Sequence, residues 1–327
     1  MRLFLLLFLV TTPLFAHSHH QIAAEMREAA DVFLRALTEE KRAAAAFPFD
    51  NPERENWHYF PMDRGGVRLD KLDGPQRNLA LALLSTGLSH RGFLTATQII
   101  ALENTLYLES GKNEFRNPER YHLAIFGTPG EKAPWGWRFE GHHLSLNFTL
   151  KGDQVHLRPF FFGTNPAEVQ EGGLKGLRPL GAIEDAANQL ANSLVKAEKS
   201  PVFSEKPPRD ILTGQKTTAQ LLDTKGVKAS ELSPEHQKAL TELIDHVSRF
   251  SRGTLGQHRL EENEDLVFAW GGSLEPRQPH YFQIRGTHFV IEFANTQGNA
   301  NHAHLVWRDL RDDFARYTLK DHLKKAH

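Results

Sequence analysis

The sequence predicts an α+β fold in which a largely antiparallel central sheet carries helices packed on it, with a helical block at the N-terminus. Three observations point there. Helical and strand-like segments come in blocks, not in strict alternation. Two groups of short apolar-alternating runs, in the middle and in the last third, have the pattern of half-buried strands. Between two such runs, LKGDQV places Gly152-Asp153 as a two-residue hairpin turn.

Taken in order, the chain opens with MRLFLLLFLVTTPLFA, a positive start at Arg2, an apolar run too short to span a bilayer, and a small residue at Ala16. That is the pattern of a secretory signal peptide over residues 1–16, leaving residues 17–327 as a single domain. Gln21–Leu37 and Pro75–Leu88 have helical apolar spacing, and the stretch from Thr95 to Glu109 opens with Thr95 and Gln98 at capping-box spacing. YHLAIFG, WGWRFEG, HHLSLNFTL and QVHLRPFFF read as strands. In TNPAEV, Asn165 as N-cap, Pro166 and Glu168 predict another helix start. Ala182–Ala197 and Ser233–Phe250 are amphipathic helices, separated by a Pro- and charge-rich surface excursion near residues 197–214. DLVFAWGG, HYFQIRG, THFVIEFANT and HAHLVW return to strands, and RDDFARYTLKDHLKKA closes as a helix. The middle and last strand groups are expected to share one sheet.

The chain has 327 residues, no cysteine and a formal net charge of −1. Without cysteine there is no disulfide, thiol catalysis, iron–sulfur cluster or thiolate zinc site. The balanced charge and the lack of a basic stripe exclude a nucleic-acid partner, and no further apolar run gives stable membrane insertion after cleavage. G-x-S-x-G, H-E-x-x-H, Walker A and G-x-G-x-x-G motifs are all absent. The protein is expected to be exported, periplasmic or secreted.

Chemistry concentrates in EGHHLSLNFTL, Glu140–Leu150. Read as a strand, it sends neighbouring residues to opposite faces. The hairpin register sets Leu150 against Val155, Phe148 against Leu157 and Leu146 against Pro159, with His142 at the edge of that apolar face. His143, Ser145, Asn147 and Thr149 then share the other face with His156 and Arg158. In NHAHLVWRD, His302 and His304 are two apart and project to the same side of a strand, so both can reach one metal ion. His143 is the third candidate ligand and His142 a fourth, for a divalent zinc, copper or iron ion. Glu292 and Asp309 are candidates for general base or for orienting a ligand histidine, although Asp309 and its neighbours also suit the first turn of the last helix. Arg138 and Arg158 are candidates for holding an anionic substrate. A free amine at His17 followed by His19 would also suit Cu(II), if it is more than a low-complexity histidine tract.

WHYFPMDRGGVRLDKLDGPQR, PWGWRFEGHHLSLNFT, FFFGTNPAEV, HYFQIRGTHFVIEFANTQ and NHAHLVWRDLRDDFA, in that order, resemble the uncharacterised domain-of-unknown-function family DUF3500. The resemblance covers nearly the whole chain after the leader and favours one domain. It implies no established activity, but its motifs include Trp137, Arg138, His142, His143, Asn147, Glu292, His302, His304, Arg308 and Asp309. Of these, Asn147, Trp137 and Arg308 are taken as substrate-contacting. The function expected is an exported metal-dependent enzyme acting on a small or anionic substrate, with hydrolysis ahead of oxidation. The alternative is a periplasmic copper- or metal-binding protein without turnover.

Overall fold

A computed structural model describes residues 19–219, 225–256 and 266–319. The expected signal peptide, the His17-Ser18 part of the expected N-terminal copper motif and residues 320–326 of the expected closing helix lie outside the described residues. Among the described residues no helix is long and apolar enough to cross a membrane.

The centre is a twelve-stranded mixed sheet. Its strands are β1 (Ala46–Phe47), β2 (Val67–Arg68), β3 (His122–Phe126), β4 (Trp135–Gly141), β5 (Leu144–Lys151), β6 (Gln154–Thr164), β7 (Val202–Ser204), β8 (Val227–Lys228), β9 (Val267–Gly272), β10 (His280–Arg285), β11 (Phe289–Gln297) and β12 (His302–Asp309). The spatial order is β1-β3-β4-β5-β6-β12-β11-β10-β9-β7, with β2 on β3 and β8 on β9. Parallel pairing of β1 with β3 and of β7 with β9 at the two ends replaces the largely antiparallel sheet expected from sequence. These end strands are two or three residues long, too short to leave a periodic signal. The pairing of β6 with β12 joins the middle and last strand groups.

Helices α1 (His19–Ala36), α2 (Glu39–Ala45), α3 (Gly74–Gly87) and α4 (His90–Glu109) precede β3, but β1 and β2 are interleaved with them and join the sheet. The N-terminal third is therefore not a separate helical block. Ser89 caps α4 by accepting from Gly92 N, so the helix starts a turn and a half before the Thr95 expected from sequence, and Thr95 is buried inside it. Helices α5 (Gly181–Lys196) and α6 (Pro234–Ser248) follow their sequence periodicity. No helix starts at Asn165. Ala167 N and Glu168 N instead donate to Asn301 O and Asn301 Oδ1, so the would-be first turn docks on the β11–β12 turn.

Alternation along the strands sends Leu144, Leu146, Phe148, Leu150, Phe293, Leu305 and Trp307 into one core with apolar residues of α1, α3, α4, α5 and α6. The hairpin at Gly152-Asp153 has the expected register near the turn, Leu150 opposite Val155 and Phe148 opposite Leu157. It then shifts, so that Leu146 meets Phe160 and not Pro159. Pro159 has no N–H to give the ladder, and the extra residue is taken up as a bulge there.

The opposite face is covered by irregular chain, whose backbone groups need partners. Buried charged residues of the sheet supply them. Arg138 donates to Glu53 O at 2.7 Å and Asn56 O at 2.8 Å, and Glu140 accepts from His58 N at 3.0 Å and pairs with Arg64 at 3.0 Å. Arg308 reaches Gly214 O and Lys216 O, and Glu292 accepts from Leu212 N and Thr213 N. A smaller core of Trp57, Tyr59, Phe161, Ile211, Tyr281, Ala294, Val306 and Phe314 lies under these segments.

His122, buried on β3, is pushed down to about 3 by burial and by the nearby guanidinium groups of Arg64, Arg68, Arg120 and Arg138. Below an unfolded value of 6.5 the unfolded chain takes up a proton there and the native protein does not. Stability present above pH 6.5 is therefore lost as pH falls, by about 1.4 kcal/mol per pH unit for this one site. Urea melts of wild type and His122→Gln between neutral pH and pH 4 or so are expected to differ in slope by about one proton. Parallel pH dependences would refute this assignment.

Candidate metal centre

β4 and β5 pair through Gly141 and Leu144, which leaves His142 and His143 as the two residues of the turn between them. Period-two alternation predicts both in a strand on opposite faces, because the pattern of HHLSLNFTL continues back through them and neither position is the Gly, Asn or Asp that marks a two-residue turn. In the turn they do not alternate. Their rings stack with centroids 3.6 Å apart, and both bond the same carboxylate. His143 has φ +63°, a conformation uncommon for a non-glycine residue, and strain of this kind collects at functional sites. It is held on both sides, its N–H donating to Tyr59 O at 3.1 Å and its carbonyl accepting from Gly163 N at 2.7 Å.

Three imidazoles converge at the end of the sheet. His143 Nε2 lies 2.8 Å from His302 Nε2, and His304 Nε2 lies 3.0 Å from the same atom. His302 and His304 reach this point from one side of β12, as their spacing requires. His143 and His304 are buried, while His302 is half-buried and borders solvent.

The second nitrogens of the outer rings meet carboxylates. His143 Nδ1 is 2.9 Å from Glu103 Oε1, and His304 Nδ1 is 2.7 Å from Asp210 Oδ1. Glu103 Oε2 also takes His142 Nδ1 at 2.8 Å. Burial alone would raise Glu103, but the hydrogen bonds from His142 and His143 outweigh it and hold the carboxyl near 2. Asp210 is likewise lowered against burial by His304. Ionised carboxylates only accept, so the Nδ1 atoms of His143 and His304 carry the protons and their Nε2 atoms present lone pairs. Burial and the neighbouring histidine push His143 to about 3, and burial with the two flanking histidines pushes His302 to about 2. The three Nε2 atoms therefore crowd together with lone pairs on His143 and His304 and at most one N–H, on His302, to share between them. A single cation satisfies all three at once.

This donor set could hold a metal ion, as could the adjoining group of Glu103, His142 and His143. In the second group Arg116 Nη1 lies 3.1 Å from both ring nitrogens of His142, and a guanidinium in that position opposes a second cation. The three Nε2 atoms are the better match. Two nitrogens each 2.0–2.1 Å from a tetrahedral ion stand about 3.3 Å apart, so the rings need open by only a few tenths of an ångström. Carboxylate–histidine–metal arrangements of this kind orient the ligand rings and raise their basicity.

Gly163 makes room for the cluster. A Cβ there would stand 2.9 Å from His143 Cδ2 and 3.1 Å from His304 Cδ2, between the two rings. Gly163→Ala keeps the backbone bond to His143 and is expected to cost about 1–3 kcal/mol through overpacking. Since it pushes two ligand rings, roughly tenfold weaker metal binding should accompany it, measured by competition with a chromophoric chelator. Wild-type affinity in that variant would contradict the arrangement.

The remaining residues proposed from sequence are engaged elsewhere. Glu292 fastens the chain at Leu212 and Thr213 and accepts from Tyr281 Oη at 2.8 Å, so it supports the segment carrying Asp210. Asp309 accepts from Arg311 N and Asp312 N in the turn after β12. Arg138 and Arg308 clamp irregular chain, and Arg308 pairs with buried Asp313 at 2.7 Å. Arg158 lies over the rings of Trp307 at 4.1 Å and Phe160 at 4.9 Å. Asn147 bonds Ser145 Oγ and Pro159 O, and Trp137 stacks on Phe148 in the main core. His142, expected at the core edge, belongs to the cluster through Glu103.

Sequence reading missed Glu103, Asp210 and Arg116. Glu103 sits on an α4 face with the apolar spacing of ordinary core, and Asp210 in a stretch whose Pro and charge content reads as surface.

No curated protein and no solved structure matches the chain. The family model described as "Protein of unknown function (DUF3500)" matches residues 19–316, a span that contains the whole sheet and every residue of the histidine cluster. The chain belongs to that family.

Proposed function

We propose that the protein is a metal-dependent enzyme whose His143, His302 and His304 hold one divalent ion, acting as a hydrolase on a small anionic substrate. The observation that carries this reading is the convergence of three imidazole Nε2 atoms, with two of the rings oriented by Glu103 and Asp210. Three protein ligands, one of them half-buried, leave a coordination position toward solvent, the pattern of catalytic and not of structural sites. A bound zinc-like ion supplies a water acidified to a pKa of about 7, suited to attack an ester, amide or phosphate. Glu103 and Asp210 keep the ligand rings in one tautomer. Both carboxylates are committed to imidazoles, so they position ligands and do not shuttle substrate protons. Half-buried Arg116, next to His142, offers a permanent positive charge for an anionic group.

Burial of His143 and His304 favours a second reading, metal binding without turnover. Loading the purified protein separately with zinc, copper and iron, then assaying ester, amide and phosphoester substrates against chelated controls, separates the two. Metal-dependent turnover reduced by Arg116→Ala supports the enzyme. Stoichiometric metal with no turnover on any substrate class supports storage, and no retained metal removes both.

A further inference from the structure

A cavity of about 790 Å³ opens on the helix-covered side of the sheet, away from the histidine cluster, between α5 and the ends of β10 and β11. Its walls include Glu168, Arg178, Glu184, Arg277, His280 and Asn295. The charges there are already matched within the protein. Arg178 pairs with Glu184 at 2.8 Å and Asp185 at 2.7 Å, and Arg277 pairs with Glu168 at 2.9 Å. A charged ligand would have to break one of these pairs.

His280 lies at the back of the cavity. Its ring stacks on Trp270, 5.0 Å between centroids at 4°, and on Phe293 at 5.8 Å. His280 Nδ1 is 2.8 Å from Gln278 O, and a carbonyl only accepts, so Nδ1 carries the proton and Nε2 presents a lone pair. That Nε2 is buried and has no hydrogen-bond partner. Glu184 Oε1, another acceptor, stands 3.4 Å away. Glu184 Oε1 already accepts from Asn295 Nδ2 at 2.7 Å, so His280 Nε2 is left as a buried acceptor facing a half-buried carboxylate and no donor, a costly arrangement unless something supplies an O–H or N–H group. Planar amides at Asn188, Gln189 and Asn301 line the rest of the wall.

We infer that this cavity is a binding site for a neutral polyhydroxylated small molecule of the sugar class. Vicinal hydroxyls would donate to His280 Nε2 and Glu184 Oε1 and exchange bonds with the amides, leaving the internal ion pairs intact. The site is independent of the metal reading. Asn295 touches both places, donating to Glu184 Oε1 at 2.7 Å and accepting from His302 N at 3.0 Å, but none of the cavity groups is a metal ligand. Binding is therefore expected in chelator-treated protein too, which separates failure here from failure of the metal centre.

Saturation-transfer difference NMR on the metal-free full chain tests it, with glucose, N-acetylglucosamine and maltose as probes and putrescine and methyl phosphate as charged controls. Transfer to at least one sugar, and to neither control, is the expected result. His280→Phe keeps the ring stack and removes the acceptor. Gln189→Trp, on the exposed rim, blocks the mouth without touching the core. Each is expected to weaken sugar binding about tenfold or more, the cost of an unmet buried hydrogen bond or an obstructed site. No transfer to any of the three sugars, transfer unchanged in both variants, or transfer to putrescine or methyl phosphate in their place would overturn the proposal.

Discussion

His302→Ala is expected to lower metal affinity on the order of a hundredfold or more, the largest single effect available in this protein. The four ligands of a structural zinc site share roughly 10–16 kcal/mol, or about 3 kcal/mol each. His302 is also the central ring, with its Nε2 2.8 Å from His143 and 3.0 Å from His304, so its loss leaves two nitrogens and no facial set. Because His302 is half-buried, little packing is lost. In the metal-free state the change relieves the crowding of lone pairs, so the apoprotein is expected to melt at or slightly above the wild-type temperature. A purely structural His302 would behave the other way, with lower melting in the apoprotein and no change in metal content by mass spectrometry after dialysis.

Glu103→Gln is expected to weaken metal binding about 10–100-fold, the usual penalty for losing a group that orients a ligand histidine. The native carboxylate accepts from His142 Nδ1 at 2.8 Å and His143 Nδ1 at 2.9 Å. An amide can accept from only one of them and turns its own N–H₂ toward the other. The ring facing that N–H₂ must give up its Nδ1 proton. If it is His143, the proton moves to Nε2 and blocks the ligand lone pair. The substitution is nearly isosteric and removes a buried charge, so the thermal midpoint should change far less than the affinity. Calorimetric titration with zinc gives the readout. An affinity equal to wild type would show that Glu103 serves the fold alone.

How much of this was legible follows from which contacts leave a local trace. Period-two alternation located the eight longer strands and put His302 and His304 on one side of β12. Gly152-Asp153 set the β5–β6 register until Pro159 interrupted it. The terminal parallel strands left no pattern. His142-His143 misled because the alternation ran through them, while the pairing of Gly141 with Leu144 made them a turn. The polar face of β5 was legible as unusual for solvent-facing sheet, but its reason was not. It is buried by irregular chain that Arg138, Glu140, Glu292 and Arg308 hold by its backbone groups.

The sequence by itself determined the strand and helix periodicities, the lack of cysteine chemistry, the family, and the pairing of His302 with His304. These are local or compositional properties, and short-range geometry enforces them. Only the tertiary structure decided the centre. His143 meets His302 across 159 positions, Glu103 reaches His143 across 40, and Asp210 reaches His304 across 94. Such contacts arise when the sheet closes β6 onto β12 and the helix and the irregular segment pack against its end. Side-chain pairings at that separation have no period in the chain, so no reading of spacing could find them.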